Sequence, residues 1–184
     1  MHDLPSSQEP SSPWYVIRTF QHDRDVLNSL KQLGLNCFIP MKYREGAIAN
    51  TEQQEISDKE LTPVVHGYIF VEKTDDENTL LRHFSTITEP FRLMKRDNGH
   101  PYEVSADEMR DFRMLCDPTY SKSVFLTAEQ AEARIGKMVT IVRGRFRGIK
   151  GKLCQIKGKY YFIKHVAGLG VMIRITRWFC RPDE

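Results

Sequence analysis

No stretch of the chain stays apolar for the ~20 residues that a helix needs to cross a bilayer, and the opening "MHDLPSSQEPSSP" lacks the basic and apolar regions of a signal peptide. A cytoplasmic protein without membrane contact is the expectation. Metal-ligand spacing is missing as well: Cys37, Cys116, Cys154 and Cys180 lie far apart with no C-x-x-C pair, and the six histidines form no H-E-x-x-H. Four buried free thiols are expected, with no disulfide framework and no metal. The glycines fit neither G-x-G-x-x-G nor G-x-x-x-x-G-K-[ST], so no phosphate cradle is indicated. Nor does spacing assemble a nucleophile, a base and an orienting group. The acidic pairs Asp75–Asp76 and Asp107–Glu108 fall at helix starts, where carboxylates complement the helix dipole without catalytic work. An enzyme and a bound cofactor are therefore not expected.

What the chain does have is a division of charge. Residues 1–135 carry 15 Lys and Arg against 22 Asp and Glu, whereas residues 136–184 carry 12 against 2. Net charges of −7 and +10 within 184 residues predict two small domains that meet different partners, the basic one suited to RNA, DNA or a ribosomal surface.

Residues 1–12 hold almost nothing to bury and predict a disordered tail. "WYVIRTF" then reads as a strand. Val26, Leu27, Leu30 and Leu33, followed by Gly34, predict a helix over 23–33. "NCFIPMKYR" and "VVHGYIFVEK" read as strands on either side of a long acidic loop, Glu45 to Glu60. Thr74 and Glu77 have capping-box spacing ahead of a stripe of Leu80, Leu81 and Phe84, and Ser105 and Glu108 repeat the device ahead of Met109, Phe112 and Leu115. "PFRLMKR" between those two helices is a further strand, turned by "DNGH". The order strand, helix, strand, strand, helix, strand, helix predicts an α+β domain over residues 13–117, a ferredoxin-like split βαβ sheet with one face on helices and the other open.

Residues 118–134 read as a linker in which Thr127 and Gln130 could cap one helical turn. Beyond them, short β-rich runs separated by glycines predict a small SH3-like barrel over 135–184. Alternation puts Val171, Ile173 and Ile175 inward and Met172, Arg174 and Thr176 outward. Around Gly144, Gly148 and Gly151 cluster Arg143, Arg145, Arg147, Lys150 and Lys152, with Phe146 in their midst. This is the composition of a barrel rim that meets phosphates or an acidic protein surface.

"GKMVTIVRGRFRGIKGKLCQIKGK" resembles the KOW motif, and "WYVIRT" followed by "TPVVHGYIFVEK" resembles the N-terminal (NGN) domain of NusG-type transcription elongation factors. The resemblance spans about residues 13–182. It implies an elongation or antitermination factor that docks on RNA polymerase through an apolar patch, here Val65, Gly67, Tyr68 and Phe70, with His66 in place of the usual proline. Alternation separates Tyr68 and Phe70 from Ile69 and Val71, so that one pair faces the helices and the other faces out; the resemblance implies that Tyr68 and Phe70 are the displayed pair, the alternative being Ile69 and Val71. The resemblance also implies that the turn Gly144-Arg145-Phe146-Arg147-Gly148, matching G-P-F-x-G except for Arg145, contacts a ribosomal protein or a termination factor. Its two extra arginines favour RNA or DNA. "GLGVMIRITRWF" and the long loop look most like the UpxY-type paralogues of Bacteroides-type bacteria, antiterminators of capsular polysaccharide operons. A monomer is expected. The competing reading is an RNA recognition module, because Gly67, Tyr68, Phe70 and Val71 of "HGYIFVEK" agree with the RNP1 pattern while His66, Ile69 and Lys73 do not.

Overall fold

The computed structural model describes residues 12–43, 61–120 and 123–183. The expected tail, save Ser12, and the expected acidic loop lie outside them. The chain forms two units, Met1–Phe38 with Gly67–Arg110, and Ile39–His66 with Asp111–Glu184.

In chain order the first elements are β1 (Trp14–Thr19), α1 (Asp23–Gln32), β2 (Cys37–Phe38), β3 (Met41–Tyr43), β4 (Leu61–Pro63), β5 (Tyr68–Glu72), α2 (Glu77–Ser85), β6 (Phe91–Leu93), β7 (Glu103–Val104) and α3 (Ala106–Leu115). β2, β5, β1 and β6 lie side by side in that order, all antiparallel, as the split βαβ plan requires, and β7 pairs with β1. The expected strand "NCFIPMKYR" divides at Pro40: β2 joins this sheet, whereas β3 pairs with β4 in a separate ribbon.

Helix α1 buries Val26 and Leu30 and stops where Gly34 takes φ +77. There Gly34 N–H donates to Lys31 O and Leu35 N–H to Leu30 O, the paired bonds of a Schellman stop. Helix α2 starts differently from the expected capping box. Asp76 is its N-cap, accepting from Thr79 N–H at 3.1 Å and Thr79 Oγ1 at 2.6 Å. Leu80 and Phe84 are buried on α2 while Leu81 is exposed, so the stripe is narrower than read. In α3, Ser105 Oγ accepts from Glu108 N–H, and Met109, Phe112 and Leu115 are fully buried.

The later elements are β8 (Ser123–Thr127), α4 (Ala128–Glu132), β9 (Lys137–Ile141), β10 (Lys150–Ile156), β11 (Lys159–Val166), β12 (Leu169–Arg174) and β13 (Cys180–Pro182), with a 3-10 turn at Arg177–Phe179. They form one antiparallel sheet in the order β13-β9-β10-β11-β12-β8. Hairpins β10–β11 and β11–β12 close through two-residue turns, Lys157-Gly158 and Ala167-Gly168, with positive φ at all four residues, matching the right-handed strand twist.

Two expectations are corrected here. Residues 123–132, read within a linker, supply the sixth strand and a capped helix: Thr127 Oγ1 accepts from Gln130 N–H and Gln130 Oε1 accepts from Thr127 N–H. Met172, read as outward, is buried with Leu126, Ala131, Cys154 and Ile163, because β8 and α4 cover that face of the sheet. Gly170 makes room for them, since a Cβ there would stand 3.0 Å from Ala131 Cβ and 3.2 Å from Leu126 Cβ. All four cysteines are free. Cys116 and Cys154 are buried as expected but Cys37 and Cys180 are half-buried. Burial pushes every thiol above its ordinary pKa, Cys37 to about 11.

Candidate functional site

Antiparallel partners share a face of a sheet, so the registers Val16↔Phe70, Arg18↔Tyr68 and Arg18↔Arg92 put Val16, Arg18, Tyr68, Phe70 and Arg92 on one side. Thr19 and Phe91 lie on the other, and there Phe84 of α2 meets Phe91 edge-on, with ring centroids 6.0 Å apart. Tyr68 and Phe70 therefore point away from α2, as expected. They are not displayed, however. Tyr68 is 9% exposed and Phe70 0%. Phe38 of the neighbouring strand packs on Phe70 at 6.2 Å, and the Arg18 guanidinium lies 3.9 Å from the centre of the Tyr68 ring. The face expected to be open is thus largely covered, with Phe38 and Arg18 supplying part of the cover.

What this face presents to solvent is its cationic end. Arg92 is exposed and sits 6.0 Å from the ring of Phe20, which is 62% exposed. Arg18 is half-buried over Tyr68. Neither the two arginines nor Phe20 was singled out from sequence, although Arg18 and Arg92 stand in the quoted strands with Tyr68's parity. The RNP1-type reading loses its physical basis here, because base stacking needs open ring faces.

Gly67 is buried with φ +83, and a Cβ on it would stand 2.9 Å from Thr19 O. Its N–H donates to Asp23 Oδ2 at 3.0 Å, its carbonyl accepts from Thr19 N–H, and Thr19 Oγ1 donates to the other Asp23 oxygen. The α1 carboxylate thus fixes the entry into β5 where proline is lacking at position 66. Val65 is half-buried and His66 exposed in the turn leading to it.

In the second unit the turn between β9 and β10 is built on Gly144 (φ +82) and Gly148 (φ +94), with Gly148 N–H donating to Ile141 O at 2.7 Å. Phe146 is only 6% exposed. Tyr120 covers it edge-on at 5.2 Å, so the ring anchors the turn and does not decorate it. The basic cluster is also divided. Arg145 bonds Asp117 at 2.6 Å, Lys150 lies 3.7 Å from Asp183, and half-buried Lys152 donates to Ala131 O at 2.7 Å. Arg143 and Arg147 stay exposed.

Asp117 accepts from Thr119 Oγ1 and Thr119 N–H as well as from Arg145, and these bonds, led by the Thr119 hydroxyl, hold its carboxyl below the ordinary carboxylate range. A depressed folded pKa adds stability above the unfolded value of about 3.9 and loses it as pH falls through the folded value. The Thr119 amide resonance is accordingly expected to titrate below the range of a free aspartate, and an ordinary aspartate midpoint would show that the three bonds do not persist in solution. Asp117→Asn should abolish that titration.

Among the described residues no group of three or more His, Cys, Asp or Glu side chains could hold a metal ion, and no helix is long and apolar enough to cross a membrane. No curated relative matches the chain. The family model of the transcription termination factor NusG matches residues 12–113, a span that contains the whole first sheet with Arg18, Gly67, Tyr68 and Arg92. With more than half of its 184 residues matched, the chain belongs to the NusG family of transcription factors, which are not enzymes.

Proposed function

We propose that this protein is an operon-specific elongation and antitermination factor that grips RNA polymerase with the face of its first sheet turned away from α2. Family membership implies polymerase binding; the surface is the new element. The observation that carries it is the cationic, aromatic end of that face, with exposed Arg92 and Phe20 beside the Arg18–Tyr68 stack. Tyr68 carries the Arg18 stack, Phe70 beneath the surface holds the strand, and Gly67 with Val65 shapes its approach. Binding shifts the polymerase toward a conformation that pauses less, by differential affinity and without chemistry.

Residues 135–184 form, in this reading, a KOW domain of SH3-like barrel form that recruits a further partner, a ribosomal protein, a termination factor or nucleic acid, through Arg143 and Arg147, with Arg145, Lys150 and Lys152 adding charge and Phe146 bracing the turn. The ending "GLGVMIRITRWF" and the long loop after the second strand support a specialised paralogue of the capsular polysaccharide type over a housekeeping factor. Single-round transcription through a pause site tests the whole reading. The protein is expected to shorten pause lifetimes, and Arg92→Glu to remove most of that effect. Pausing that is unchanged by the wild-type protein, on a template from its own operon, would overturn it.

A further inference from the structure

An open groove of about 490 Å³ lies in the second unit beside the Arg143–Gly148 turn, which contributes no lining residue. Its walls carry Lys159, Arg174 and Arg177 with Tyr120, Tyr160 and Trp178, and no carboxylate is among the lining residues. Trp178 is 76% exposed. The 3-10 turn explains why: Phe179 faces Gly144, to which an added Cβ would bring it within 3.4 Å, and Phe179 O accepts from Val142 N–H at 2.7 Å. With its neighbour held there, the indole is left in solvent, with the Arg177 guanidinium 5.7 Å from its ring. Tyr120 is braced by Phe146 at 5.2 Å and by Arg145 at 5.6 Å and serves as a fixed wall.

We propose that this groove binds single-stranded nucleic acid, with one base stacked on Trp178 and the flanking phosphates on Lys159, Arg174 and Arg177. Cations interleaved with an exposed ring are what a single strand needs, since every base offers a π-face and every linkage a charge. A duplex hides its bases and cannot use the indole. The site is distinct from the polymerase-binding face, and the proposal stands or falls without it.

The chain itself supplies the probe, because its other tryptophan, Trp14, is buried in β1. Titrating the full chain with 12-nucleotide RNA, DNA of the same sequence and the corresponding duplex is expected to quench Trp178 fluorescence with either single strand; the tighter one identifies the natural ligand. Trp178→Ala should weaken binding by anisotropy at least about fivefold, with Trp178→Phe restoring most of it. Arg174→Ala should flatten the log–log salt dependence by about 0.7. Single-strand binding without indole quenching, preference for duplex, or loss confined to an Arg143→Ala, Arg147→Ala double variant would overturn the assignment, as would no binding at low salt.

Discussion

Phe70→Ala is expected to destabilise the first unit by about 3–5 kcal/mol, the range for removing a fully buried phenylalanine ring. Phe70 has no exposed surface, packs on Phe38 at 6.2 Å and lies opposite Val16, itself fully buried. Small domains have only about 5–15 kcal/mol to lose, so the variant should sit close to unfolding at physiological temperature. Urea titration followed through Trp14, with Trp178→Phe in the background to silence the second indole, measures it. A shift below about 1 kcal/mol would mean that the ring stands in solvent. The same reasoning bars Phe70→Ala as a probe of binding. It would abolish any interaction by unfolding the strand that carries it.

Gly151→Ala should be a strongly damaging single-methyl change in the second unit. Gly151 has no left-handed φ to protect; its role is to let two strands approach. A Cβ there would stand 2.5 Å from Phe162 Cζ and 2.6 Å from Ile163 O. Phe162 is fully buried and cannot swing aside, and the second contact is backbone, so the sheet itself must open. Overpacking of this kind costs about 1–3 kcal/mol, occasionally more, and the upper end is expected here. At roughly 4–8 °C per kcal/mol for a domain of this size, the melting temperature should fall by roughly 10 °C or more. A loss under about 2 °C would contradict the close packing of β10 on β11. Gly148→Ala is a useful contrast. No atom lies within 4 Å of its Cβ position, so its penalty is conformational only, from φ +94.

The helical and strand periods are legible in the sequence. Helices α1 and α3 show their apolar faces at intervals of three and four, and Gly34 and Ser105 mark their ends through bonds within five residues. The start of α2 was misread because Thr74–Glu77 and Asp76–Thr79 compete at neighbouring positions, and only the second pair bonds across the helix start. Parity pairs Tyr68 with Phe70, and both lie on the face turned away from α2. Their burial was not legible, since Phe38 and Arg18 reach them from other strands, 32 and 50 residues away in sequence.

Long-range partners explain the other departures. β8 and α4 are too short to persist alone, and it is pairing with β12 and burial of Leu126 and Ala131 that fix them. Met172 changes from surface to core for that reason. The basic strip reads as uniform charge, yet Asp117, Asp183 and Ala131 take up Arg145, Lys150 and Lys152 from outside it. Trp178 was visible in the sequence, flanked by Arg177, but nothing local announces that a 3-10 turn will send it outward while Phe179 turns toward Gly144.

Equilibrium binding of the full chain to core RNA polymerase decides whether the Arg18–Arg92 face of the first sheet meets the polymerase. Arg92→Glu lies on an exposed residue at the end of the sheet face and should leave the fold intact, as circular dichroism can verify. Its affinity is expected to fall at least tenfold, with Phe20→Ser falling in the same direction, while the Arg143→Ala, Arg147→Ala pair binds like the wild-type protein. Wild-type affinity in a correctly folded Arg92→Glu, Phe20→Ser double variant would contradict the account.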